Sequence, residues 1–89
     1  MLQRKVTICN KLGLHARAAA KLVQLAGRFE ADVRLVRDGR EANAKSIMGV
    51  MMLSAGRGSE IELVGDGNDE QAAIEAVEQL IANRFGEDE

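Results

Sequence analysis

His15 is the sole histidine in 89 residues, and it stands in Gly13-Leu14-His15-Ala16-Arg17. Imidazole is the side chain whose ordinary pKa lies nearest neutrality, so a neutral, nucleophilic ring is available in a cell. The pentapeptide falls where a strand gives way to a helix. A helix start offers unpaired backbone N–H groups and a partial positive charge, and an arriving anion finds those donors already aimed at it. Arg17 adds a guanidinium whose fork matches phosphate oxygens. This combination suits a nucleophile that takes a phosphoryl group from one partner and yields it to another, with Arg17 steadying the charge. The plainer account is a tolerated surface histidine and a solvated first-turn arginine. Yet histidine is a poor N-cap, and a cation in the first turn works slightly against the helix dipole. Two local preferences broken at one helix start point to function.

Other site chemistries find little to use. Cys9 is the only cysteine, so no internal disulfide can form and a reducing compartment is expected. One histidine and one cysteine without ligand spacing do not make a metal site, and no cofactor is implied. No nucleophile motif accompanies His15 to form a Ser-His-Asp arrangement. Ser46 has two readings. It is a good N-cap, and phosphorylation there would place new negative charge at a positive helix end, changing partner binding without unfolding the domain. Ile47, Met48, Met51 and Met52 crowd one short segment. A short helix cannot bury every side, so some of them should be exposed, and methionines adapt to differently shaped partners.

The elements that must position these residues are legible from periodicity. Met1 to Cys9 alternates weakly, with Val6 and Ile8 on one face, and predicts a strand. Ala16 to Ala26 has Ala19, Leu22, Val23 and Ala26 at helical spacing, and Gly27 follows as the C′ residue. Ala31 to Arg37 and Arg40 to Ala44 read as strands joined by an Asp38-Gly39 hairpin turn. Ile47 to Leu53 is a short apolar helix, and Ser54 to Ser59 a loop. Glu60 to Val64 is a fourth strand, followed by a Gly65-Asp66-Gly67 turn. Asn68 and Gln71 have the spacing of a capping-box variant before a last helix, Glu70 to Arg84. Glu87-Asp88-Glu89 reads as a solvated acidic tail. The order β-α-β-β-α-β-α, with one sure antiparallel pair, predicts an α+β, two-layer domain with helices on one sheet face.

Composition bounds the rest. Hydrophobic residues are 46% and charged residues 29% of the chain, a globular balance that suits one domain over residues 1–89. The net charge of −2, with Phe29 and Phe85 as the only aromatics, argues against nucleic-acid binding, an RNA-binding α+β domain included. The N-terminus lacks a signal-peptide run, and no stretch is long and apolar enough to span a membrane. A cytoplasmic monomer is expected, because transient docking needs the His15 face open.

The segments Gly13-Leu14-His15-Ala16-Arg17 and Lys45-Ser46-Ile47-Met48-Gly49-Val50-Met51 resemble, in order and spacing, the histidine and serine sites of the HPr family. These are phosphocarriers of the bacterial phosphoenolpyruvate-dependent phosphotransferase system, and the resemblance covers nearly the whole chain. It implies that His15 accepts a phosphoryl group on Nδ1 from Enzyme I and passes it to a IIA-type protein or domain. Arg17 would be the active-site arginine, and Ser46 the target of an HPr kinase/phosphorylase. Ala16, Ala20, Ile47, Met48 and Met51 would form the partner-docking patch. The implied fold is an open-faced β-sandwich, with four antiparallel strands in the order 1-4-2-3 and three helices on one side. The implied protein is a carrier that makes no product alone. The runner-up is a regulatory binding module of the nitrogen-related (NPr) branch, controlled at Ser46. One departure stands out: the family's usual proline after the arginine is Ala18 here.

Overall fold

A computed structural model of the chain describes residues 1–87. Four strands, Leu2–Thr7 (β1), Asp32–Arg37 (β2), Arg40–Asn43 (β3) and Glu60–Asp66 (β4), form one antiparallel sheet in the order β1-β4-β2-β3. Three helices, Ala16–Ala26 (α1), Ile47–Met52 (α2) and Glu70–Ala82 (α3), form the second layer. α1 packs against both α2 and α3, while α3 covers β1 and β4 and α2 covers β3. The predicted α+β open-faced sandwich and its strand order are the ones found.

The alternation of the strands dictates this closure. Val33 and Leu35 of β2 and Ile61 and Leu63 of β4 are buried on one sheet face. They meet Leu22 of α1 and the Ile74, Val77 and Ile81 stripe of α3, which are buried too. A fully buried aliphatic side chain of this size stabilises the fold by about 1.5–3 kcal/mol. The β2–β3 turn places Asp38 at φ 50° and Gly39 at φ 79°. Left-handed backbone at both central residues is the type I′ geometry that an Asp-Gly pair favours.

Several boundaries differ from the sequence expectations, each for a physical reason. Gly27 caps α1 at φ −65°, in right-handed backbone, because the chain continues as a tight turn through Arg28 and Phe29. Gly65 and Asp66 remain in β4, because they pair with Val33 and Asp32 of β2. Asn68 and Gln71 do not cap α3. Asp69 stands at the cap position and turns its carboxylate to the backbone N–H groups of Glu30 and Ala31, at 3.0 and 2.8 Å. Glu70 instead reaches back to the Gly67 N–H at 3.1 Å. α3 stops at Ala82, and Arg84–Gly86 form one 3₁₀ turn that tucks Phe85 fully into the core.

Candidate phosphoryl-acceptor site

The site begins with the chain path into α1. Gly13 has φ +66°, and a Cβ there would lie 2.3 Å from the Ala55 carbonyl oxygen. Only glycine fits that approach. It lets the Leu14 N–H donate to Ala55 at 2.9 Å and delivers His15 to the N-cap position of α1.

His15 adopts extended backbone (φ −73°, ψ 177°), and its Nδ1 accepts the Arg17 N–H at 3.3 Å. A backbone N–H can only donate, so Nδ1 bears the lone pair and the ring proton sits on Nε2. That nitrogen faces Glu87 Oε2 at 2.5 Å. The other Glu87 oxygen accepts from Asn10 Nδ2 at 3.0 Å, and the same amide donates to the Gly13 carbonyl at 2.8 Å. Asn10 is fully buried. The Asn10 amide, ahead of the His15 ring and the Lys21 charge, holds the Glu87 carboxyl below its ordinary value, against a partial burial that acts in the opposite direction.

Arg17 is exposed, and its guanidinium has no hydrogen-bond or ion-pair partner among the described residues. Ala16 is exposed, Ala20 is half-buried, and Ala18 is fully buried against the core. Ser46 caps α2 as expected, its Oγ accepting the Gly49 N–H at 3.1 Å. Of the apolar cluster, Ile47, Met48, Met51 and Met52 are exposed while Val50 packs inward. The structure therefore joins His15 to Arg17 through the cap of α1, and puts Ser46 on the neighbouring helix. No group of acids, histidine and cysteine able to hold a metal occurs among the described residues. No helix among them is long and apolar enough to cross a membrane.

Sequence reasoning missed Asn10, Lys21, Phe85 and Glu87. Glu87, expected in a solvated tail, is instead the partner of the His15 ring; Asp88 and Glu89 of that expectation lie outside the described residues. The one usable signal was Phe85, an aromatic just past an amphipathic helix. It marks a segment with apolar surface to bury.

Residues 2–83 match the family model described as the PTS HPr component phosphorylation site. The chain belongs to the HPr family. It is 65% identical to phosphocarrier protein HPr of Cupriavidus necator, with both chains covered completely. It is 49% identical to phosphocarrier protein NPr of Shewanella violacea, over 97% of this chain and 94% of that one. The crystal structure of HPr-C-His from Thermoanaerobacter tengcongensis superposes with a TM-score of 0.96 at 43% identity, each chain covered in full. The family is thus that of the phosphotransferase system's phosphocarriers.

Proposed function

We propose that His15 is the phosphoryl acceptor, taking the group on Nδ1 from Enzyme I and passing it to a IIA-type protein or domain. The observation that carries this reading is the state of the ring. Nδ1 bears its lone pair at the start of an eleven-residue helix, restrained only by a long 3.3 Å bond from the Arg17 N–H. A bond of that length is weak and is readily given up to an incoming phosphorus. The N–H groups at the helix start then serve the phosphoryl oxygens. The Arg17 guanidinium, exposed and without a partner among the described residues, supplies a fork for two of those oxygens.

The docking surface on this reading is Ala16 and Ala20 of α1 with Ile47, Met48 and Met51 of α2, two helices that pack together. Ser46 would serve as a regulatory phosphorylation site for an HPr kinase/phosphorylase, its hydroxyl sitting at the positive end of α2. The protein would act as a cytoplasmic monomer, a single domain over residues 1–89, so that the His15 face stays open to each partner in turn.

Intact mass after incubation with Enzyme I, phosphoenolpyruvate and Mg²⁺, before and after mild acid, tests the reading. The expected result is one added phosphate, removed by acid and mapped to His15. No added phosphate, with Enzyme I active on another carrier, would leave a regulatory module working through Ser46.

A further inference from the structure

Glu87 lies beyond residues 2–83 matched by the family model, yet its carboxylate contacts the ring of His15 directly. On the reading that His15 is the phosphoryl acceptor, we propose that Glu87 is a positioning residue for that step. It holds the Nε2 proton, aims Nδ1 outward and stabilises the positive charge the ring gains on phosphorylation.

The argument starts from how firmly the carboxylate is held. Its two oxygens have separate partners, Asn10 Nδ2 and His15 Nε2, so it cannot rotate without losing one of them. Asn10 is fully buried and is itself tied to the Gly13 carbonyl. Two residues before Glu87, Phe85 is fully buried, and its carbonyl accepts from Lys21 Nζ at 2.6 Å. Arg84 and Phe85 both have φ of 54°, left-handed backbone that non-glycine residues adopt at a cost. A segment serving only as solvated tail would not be fixed by a buried amide, a buried aromatic and a lysine while carrying that cost. The side chains of His15 and Glu87 are 25% and 17% exposed, so their contact is only partly screened by water.

The step balances as follows. The Nδ1 lone pair forms the N–P bond, and the bond from phosphorus to the donor breaks with its electron pair leaving on the donor. The Nε2 proton stays in place, so the imidazole becomes a phosphorylated imidazolium. An anion already hydrogen-bonded to Nε2–H stabilises that product and the path to it. The charged groups facing Glu87 are His15 and Lys21 of α1, with the Asn10 amide below it. Arg17 remains for the phosphoryl side of the ring. This is the geometry of a partly exposed carboxylate orienting a histidine, with the phosphoryl group in place of a transferred proton.

The test uses the full chain with Glu87→Gln, which keeps a hydrogen-bonding shape and drops the charge, and Glu87→Ala. Two quantities are read: the phosphorylated fraction at a fixed phosphoenolpyruvate-to-pyruvate ratio with Enzyme I and Mg²⁺, and the ring ¹⁵N resonances of His15. Both variants are expected to lower the equilibrium constant for phosphorylation about tenfold and to displace the Nε2 resonance. Wild-type values of both quantities in Glu87→Gln would overturn the proposal, as would a loss of thermal stability with an unchanged equilibrium constant. If the wild-type chain itself takes no phosphate, the acceptor reading of His15 fails. The Nε2 resonance then still decides whether Glu87 holds the proton.

Discussion

Two helices of the same layer begin on different caps. α2 starts at Ser46, a residue chosen by helix physics, whose Oγ takes the Gly49 N–H at 3.1 Å. α1 starts at His15, a poor capping residue, whose Nδ1 reaches the Arg17 N–H only at 3.3 Å. Ser46 is explained by what it does for the fold. His15 is not, yet two other side chains, Glu87 and Asn10, are spent on its ring and its surroundings. A residue well suited to its local position says little about function. A poorly suited one that the rest of the chain supports says a good deal.

Substitutions at the two caps should separate accordingly. His15→Ala is expected to abolish phosphate uptake from Enzyme I, measured by intact mass; any retained acid-labile phosphate would place the acceptor elsewhere. Arg17→Ala should slow uptake by about tenfold to a hundredfold without altering the cap contact, because it removes a charged donor from an exposed site; quench-flow rates that match wild type would make Arg17 a solvated bystander. Ser46→Ala should cost about 1 kcal/mol in urea unfolding and leave uptake unchanged, and a change in uptake rate would join the two caps that the comparison keeps apart.

Acid sharpens the same contrast, since only the His15 cap involves a carboxylate. Glu87 has a folded-state pKa below the ordinary 4.5, chiefly through the Asn10 amide. A depressed acid contributes stability that is present above its unfolded value and lost as pH falls through the folded one. The stability gap between wild type and Glu87→Gln should therefore narrow as unfolding is followed from about pH 6 to about pH 3. Parallel curves would mean that the ionised carboxylate does not contribute. The smallest effect is expected at Ala18→Pro, in the first turn of α1, where a missing N–H is tolerated. Stability should move by less than about 1 kcal/mol and uptake should barely change; a large change of either sign would show that this position matters to the site.

Most of the fold was legible because its signals are local. Asp38-Gly39 sits between two alternating runs, and both residues take the left-handed backbone that the turn needs. Ser46 and the Ala16 to Ala26 stripe likewise announce their own structure. The pairing of His15 with Glu87 spans 72 positions, and no periodicity reports on a contact of that kind. Glu87 looked like tail because its neighbours in sequence are acidic, while what fixes it is a buried phenyl ring and a buried amide. The start of α3 failed for a related reason. Asp69 spends its carboxylate on the Glu30–Ala31 turn rather than on its own helix, a competition that only the assembled chain reveals.

The strand order has a consequence in time. β4 comes last of the four strands in sequence, yet it lies between β1 and β2. Before Glu60–Asp66 is available, β2 can pair with β3 through a tight turn, but β1 has no neighbour. The sheet is completed by inserting its final strand between two waiting partners, a non-local event that is slower than helix or hairpin formation. Through that interval both edges of β1 are open, able to recruit a strand from another chain, whereas in the finished sheet one of them is paired with β4. Arg4 and Lys5, side by side in β1, give those edges the kind of charge that discourages such recruitment.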